Sequence, residues 1–469
     1  MPAHKQSQAA TRQGSADTAG PRYRYATDLS ELNSHPAGPS DYIRFLRPMV
    51  HADNRVSCML AVFSLKSAPH YAALSYSWGA GDQSGVELTI TEQIDGEEVG
   101  QQIRGSIMIT RDLENALRRL HRHNAALGWL WFDSVCVHQA NMAEKNDQVS
   151  MMRSIYQEAE RVYVWLSEEA ACDDAAEDSA FINKIELLNL LLLKERAWWY
   201  RLWVMQEMAL ARDVVVCLGG RTRSWNEFRK FVEGLTRDVP YFLDIKSSSA
   251  VRRMNDRTMA LDDTRRNIQN RGHTSLLALV YNGKSAYTTE PIDKINGLLG
   301  LTSQNTRAHI KPSYGTGPAA VFAAACLEMV DQSKNLNALV GCWHRSCSTP
   351  QENSFPSWVP DYASIEWRKP WDSGGLHGRL TTHASGSSVP RVSCIDWRVL
   401  HLEGVQEGDM AIVAFGASVA FLLREVKDDS RTEKRYILLD GGIIYGVMNG
   451  ELMDPYYDGK LRSESFEIV

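Results

Sequence analysis

Four nearly continuous apolar runs punctuate the first half of the chain: Tyr71 to Tyr76, Trp129 to Phe132, Val162 to Leu166 and Val214 to Leu218. Stretches of helical period separate them. A strand that lacks a polar face is a strand covered on both sides, so this alternation predicts a parallel α/β sheet. After the first run, Thr110 can cap a helix in which Leu113, Ala116, Leu117 and Leu120 form one stripe. Asn141 followed by Glu144 reads as a capping pair for the next helix, whose Val149, Met152, Tyr156 and Ala159 share a face. An acidic loop over Ala170 to Asp178, a helix over Phe181 to Lys194 and another over Trp198 to Met208 lead to the fourth run.

On either side of this core the pattern changes. Tyr42 to Arg47 and Val56 to Leu65 alternate like the arms of a hairpin, and the turn-rich Gly81 to Gly100 reads as a surface excursion with a short hairpin. Residues 225 to 335 have mostly helical period. Within them, Arg252 to Arg271 interleaves basic residues with Asp256, Asp262 and Asp263, which predicts a solvated helix face rather than a nucleic-acid patch. Leu400 to Glu403, Met410 to Phe415, Val419 to Arg424 and Tyr436 to Leu439 read as strands of a small terminal unit. The expected division is a disordered tail over 1–20, an α/β domain over 21–224, a mainly helical region over 225–361 and a β-rich region over 362–469.

Composition narrows the classes. The formal net charge of −6 gives no basic field for nucleic acid or an anionic membrane. No apolar run is long enough to span a bilayer, and the polar start lacks a secretory h-region. The 8 Cys scattered along 469 residues suit reduced thiols in a cytoplasmic protein better than a disulfide framework. Cys342, His344 and Cys347 have no second ligand pair, so no metal is expected. Neither a Walker loop nor a dinucleotide GxGxxG is present.

Three blocks carry a more specific signal: Tyr71-Ala-Ala-Leu-Ser-Tyr-Ser-Trp-Gly79, Trp129-Leu-Trp-Phe-Asp-Ser-Val-Cys-Val-His-Gln139 and Arg201-Leu-Trp-Val-Met-Gln-Glu207. In order and spacing they resemble the signature blocks of the fungal heterokaryon-incompatibility (HET) domain. Asp293 to Leu301, Ser357 to Asp361 and Gly442 to Glu451 extend the resemblance. Two positions depart from the pattern: His138 stands where Asn is common, and Glu144-Lys145 where Glu-Arg is usual. The resemblance implies a role in death of fused fungal cells after non-self recognition, with an incompatibility partner protein or a homo-oligomer as the associate. It also implies a small flavodoxin-like core similar to TIR domains, some of which cleave NAD while others only assemble. No cofactor is required: where such a domain is catalytic NAD is the substrate, and the alternatives are a non-enzymatic module acting by self-association or a nucleotide sensor.

The matching catalytic position is Glu207. Trp203, one helical turn earlier, can form an apolar wall that stacks on a flat ring and raises the acid's pKa. A carboxylate so placed can offset the ribosyl cation left when neutral nicotinamide departs. The alternative is an ion pair of Glu207 with Arg201 or Arg212. Ser77, Trp78 and Gly79 end the first strand, where ligands bind in such sheets, and either meet ribose or phosphate or form a tight turn around a buried Trp78. Asp133 ends the second strand, and binds a ribose hydroxyl or caps the loop after it. Cys136 and His138 share no orienting third group, so a small buried thiol is expected there.

Overall fold

The computed structural model describes residues 24–25, 27–34, 41–77, 85–93, 102–123, 128–167, 198–218, 221–238, 245–334, 336–339, 356, 358–363, 408–413, 420–426, 434–442 and 467–468. The tail over 1–20, the loop over 170–178, the helix over 181–194, the Cys342–His344–Cys347 group and the strand over 400–403 all lie outside them.

Nine strands form the central sheet: β1 (Tyr42–Val50), β2 (Val56–Ser64), β3 (Tyr71–Tyr76), β4 (Gly85–Gln93), β5 (Gln102–Thr110), β6 (Trp129–Trp131), β7 (Arg161–Ser167), β8 (Val214–Leu218) and β9 (Arg221–Ser224). Their order is β5-β4-β2-β1-β6-β3-β7-β8-β9. The four apolar runs of the sequence are β6, β3, β7 and β8, all mutually parallel. Counted along the chain, they lie second, first, third, fourth, which is the flavodoxin-like winding. Leu74, Trp131, Val164 and Val216 fill their interior.

The sheet continues past this parallel core. The β1–β2 hairpin joins β6 antiparallel through Leu46 and Leu130. Its turn places Asn54 at φ 68°, a conformation that Asn tolerates better than most side chains. The surface excursion expected over Gly81 to Gly100 is corrected at its described part: Gly85–Gln93 is β4, which forms a hairpin with β5 but also pairs parallel with β2, and so belongs to the main sheet. Pairing with β2 is a long-range choice that a local turn signal does not encode. On the other edge, β9 pairs antiparallel with β8.

Helix α1 (Leu29–Ser34) precedes β1, and α2 (Arg111–His123) follows β5 with Thr110 accepting from the Leu113 amide. The short α3 (Asp133–Cys136) and the longer α4 (Met142–Glu158) connect β6 to β7. Asn141 caps α4 by accepting from the amides of Ala143 and Glu144. The helix expected over Trp198 to Met208 begins later, as α5 (Val204–Leu210). Leu202 donates its amide to the Tyr287 carbonyl, and the Tyr287 amide bonds the Tyr200 carbonyl, so the backbone before Trp203 is spent on another segment.

The middle region comprises α6 (Trp225–Asp238), α7 (Ile245–Arg271), α8 (Leu276–Asn282), α9 (Asp293–Leu299), α10 (Gln304–His309) and α11 (Pro318–Ser333). Helix α7 corrects the reading of Arg252 to Arg271 as a solvated face. Arg252, Arg253 and Arg266 are exposed, but Arg257 and Arg265 are buried on a stripe with Val251, Met254, Leu261 and Ile268. Arg265 donates to the carbonyls of Met208, Ala211 and Arg212, and Arg257 to those of Trp199 and Asn282. A charge can be buried when carbonyls take up its protons. The terminal unit is a second, four-stranded sheet of β10 (Met410–Val413), β11 (Ala420–Val426), β12 (Arg435–Gly442) and β13 (Glu467–Ile468). Among the described residues no helix is long and apolar enough to cross a membrane.

Candidate functional site

The carboxyl ends of β3 and β6 converge with the start of α5, and ionisable side chains gather where they meet. Glu207 sits in the first turn of α5 and is 2% exposed. One carboxylate oxygen, Oε2, accepts from the Ser75 hydroxyl on β3, and that hydroxyl accepts from the Trp198 indole N–H at 2.8 Å. The other, Oε1, lies 3.9 Å from the Arg201 guanidinium. Arg201 also lies 3.9 Å from the Asp133 carboxylate and donates to the Tyr76 carbonyl. Two carboxylates, from the start of α3 just past β6 and from helix α5, therefore share one guanidinium at the end of β3.

The electrostatics follow from depth. Burial pushes the Glu207 carboxyl up from 4.5 to about 7; Arg201 and the Ser75 hydroxyl pull it down, and Asp133 adds to the rise. Burial draws the Arg201 guanidinium down, but Glu207 and Asp133 outweigh it and hold the cation above its ordinary value. Asp133 is the more open carboxylate, with 24% of its side chain exposed against 3% for Glu207. Near neutral pH the cluster thus holds, behind Arg201, a carboxyl poised between its two protonation states, with Asp133 on its more open side.

The loop after Asp133 is held from several directions. Gln139 donates its side-chain amide to the Asp133 carbonyl at 2.8 Å. Arg44 on β1 and Glu144 on α4, both fully buried, form a bidentate pair. Arg44 also reaches the Cys136 and Thr27 carbonyls, while Glu144 accepts the His138 amide at 2.7 Å. Tyr25 closes the outside, donating to the Val135 carbonyl and packing its ring 4.6 Å from that of His138. Burial pushes the Cys136 thiol up to about 12, so it stays protonated as a small core residue.

Of the residues expected from sequence, the structure brings Glu207 and Asp133 together through Arg201. Ser77 is half-buried just past β3, while Trp78 and Gly79 lie outside the described residues. Trp203 is half-buried and directed to the middle region, where its indole N–H reaches Asp293 at 3.4 Å and its ring packs on Gly297. Arg212, the other expected ion-pair partner, instead donates to the Gln157 carbonyl. Sequence reasoning missed Ser75 and Trp198. Ser75 had a signal, as a polar residue inside an apolar run; Trp198 had none that separates it from core. Among the described residues no group of His, Cys, Asp and Glu side chains is placed to hold a metal.

The comparisons bear on this same stretch. The family model described as heterokaryon incompatibility protein (HET) matches residues 71–207, which begin at β3 and end on Glu207. The chain is similar to "heterokaryon incompatibility protein 6, OR allele" of Neurospora crassa, with 24% identity over 408 residues, 69% of this chain and 58% of that protein. It thus spans 58% of the length of the curated relative it matches. No solved structure matches the chain.

Proposed function

We propose that this chain, whose residues 71–207 match the heterokaryon-incompatibility (HET) family model, acts in fungal non-self recognition as a cell-death effector that cleaves NAD. In the reaction, the bond between the ribose anomeric carbon and the nicotinamide nitrogen breaks and its electron pair leaves with neutral nicotinamide. The ribosyl cation takes up water, giving ADP-ribose and a proton. Glu207, ionised, offsets the developing positive charge. The Ser75 hydroxyl fixes one oxygen of that carboxylate, and Trp198 fixes the hydroxyl. Asp133 and Ser77, at the strand ends, are suited to ribose hydroxyls, and Arg201 sets the distance between the two carboxylates. The observation that carries this reading is the meeting of Glu207 and Asp133 on one guanidinium at the ends of parallel strands, with Glu207 buried.

The test is nicotinamide release from NAD by the full chain and by Glu207→Gln, at several protein concentrations, with folding checked by circular dichroism. The expected result is release that disappears in the variant and rises steeply with concentration, as an assembly-activated hydrolase requires. Equal release by both forms would remove Glu207 from the chemistry.

A second reading is a module that signals by self-association without chemistry. It is favoured by the engagement of both Glu207 oxygens, one by Ser75 and the other by Arg201, which is also what a structural ion pair needs. No nicotinamide at any concentration from folded protein, together with self-association seen by sedimentation, selects it. Thermal stabilisation by NAD without release would instead mark a nucleotide sensor.

A further inference from the structure

Beside the Glu207 cluster stands a group of side chains that the ribosyl chemistry leaves unused. Lys145 lies in the first turn of α4, Trp203 precedes α5, Asp293 begins α9, and Tyr314 follows α10. Asp293 is buried and spends both oxygens on the two aromatics: Tyr314 donates its hydroxyl to Oδ1 at 2.6 Å, and Trp203 its indole N–H to Oδ2 at 3.4 Å. Asn146, next to Lys145, accepts the Tyr314 amide at 3.0 Å and so fixes the Tyr314 backbone to α4. The Lys145 ammonium then sits 4.0 Å from the centroid of the Tyr314 ring. Trp203 stands one helical turn before Glu207, whose amide bonds the Trp203 carbonyl at 3.1 Å, so this group adjoins the cluster.

Lys145 is the exception among the cations here. Arg201 is shared by two carboxylates, and Arg44 is paired with Glu144. Among the described residues Lys145 makes no ion pair; its ammonium lies on the Tyr314 ring face and its charge acts on Asp293, which leaves the N–H donors turned away from the ring for a ligand. Two half-buried rings, locked at their polar tips and flanked by such an ammonium, suit a ligand that is flat and aromatic at one point and anionic at the next. Asp293 would repel an anion were it open and ionised. Its oxygens are occupied, however, and burial pushes its carboxyl up.

We propose that Lys145, Tyr314 and Trp203 form the recognition subsite for a dinucleotide, with Lys145 on the pyrophosphate and the aromatic faces on a base or ring. The choice of NAD among dinucleotides rests on the Glu207 reading; the anionic, aromatic class of the ligand does not. The middle region thereby completes a site begun by the α/β core.

The test is calorimetric titration of ADP-ribose, which cannot be turned over to nicotinamide, into the full chain, Lys145→Gln and Lys145→Arg. Nicotinamide release from NAD is followed alongside. Lys145 is half-buried on a helix surface, so the variants should melt as the parent does. The expected result is a roughly 10- to 100-fold weaker affinity in Lys145→Gln, on the order of one charge-assisted hydrogen bond, with most affinity kept in Lys145→Arg. The salt dependence of binding should be shallower in Lys145→Gln. Equal ADP-ribose affinity in the parent and Lys145→Gln overturns the subsite, even if nicotinamide release proves to depend on Glu207. Loss of affinity in Lys145→Gln from a parent that releases no nicotinamide supports the subsite and sinks the hydrolase. Absence of ADP-ribose binding by the folded parent also overturns the subsite.

Discussion

Replacing Glu207 by Gln should change how stability depends on pH, and the sign can be worked from its surroundings. The native carboxyl titrates at about 7, against 4.5 for the same group in an open chain. Below 4.5 both folded and unfolded chains hold the proton, and Glu207 costs nothing in charge burial. Between 4.5 and 7 the unfolded chain has released a proton that the native state still binds, so stability falls as pH rises. Above about 7 both have released it and the loss is complete, at about 3 kcal/mol or less. The amide in Glu207→Gln has no proton to lose, so the variant's profile lacks this segment, while every group common to both proteins cancels. The assay is urea unfolding of both proteins at about pH 5 and about pH 8, on either side of most of this titration, followed by tryptophan fluorescence. The parent should lose about 2–3 kcal/mol more than the variant between those two conditions. Nicotinamide release, which needs the carboxylate, should rise through the same interval. Parallel profiles would refute the burial argument. A gap of opposite sign would mean that the Arg201 charge outweighs burial, making Glu207 a fully ionised structural partner.

Two further outcomes follow from the clamps around the site. Glu144→Ala leaves the Arg44 guanidinium buried with carbonyl acceptors but no counter-charge, and should cost about 3–5 kcal/mol in denaturant unfolding. Arg44→Met with Glu144→Leu should cost less than the sum of the two single changes. Arg265→Met strips the partner from the carbonyls of Met208, Ala211 and Arg212, and should cost about 2–4 kcal/mol. Amide exchange should accelerate in α5 more than in β3, and uniform acceleration would show that Arg265 does not act on that helix.

How much is legible in the sequence depends on where satisfaction is local. Strands β3, β6, β7 and β8 stand out because parallel strands covered on both faces leave few polar positions to confuse the pattern. The caps at Thr110 and Asn141 are legible because a cap and its amides lie within three residues. Glu207 and Asp133 can be picked out from helix and strand ends. The rest depends on distant partners. Arg257 and Arg265 read as solvated because their acceptors are main-chain carbonyls, which no residue type advertises. Trp203 reads as a wall beside Glu207, yet its indole finds Asp293, 90 residues further on. Gly85–Gln93 reads as part of an excursion because only the pairing of β4 with β2 makes it part of the main sheet.

Helix α5 is gripped along its length by residues that come after it: Trp203 by Asp293, the Gln206 amide by the Gly297 carbonyl, and its last carbonyls by Arg265. The match to the family model stops at residue 207, but the full set of these bonds does not exist until Gly297 has been made. At ribosomal rates of roughly 5–20 residues per second, a nascent chain carries its acidic helix without those anchors for about 5–20 s. During that interval Ser75 and Arg201 can already meet Glu207, while the far side of its helix is still unheld. A helix anchored this way reaches its final hold only late in synthesis, so a chain cut short after residue 207 should hold α5 more loosely than the full chain.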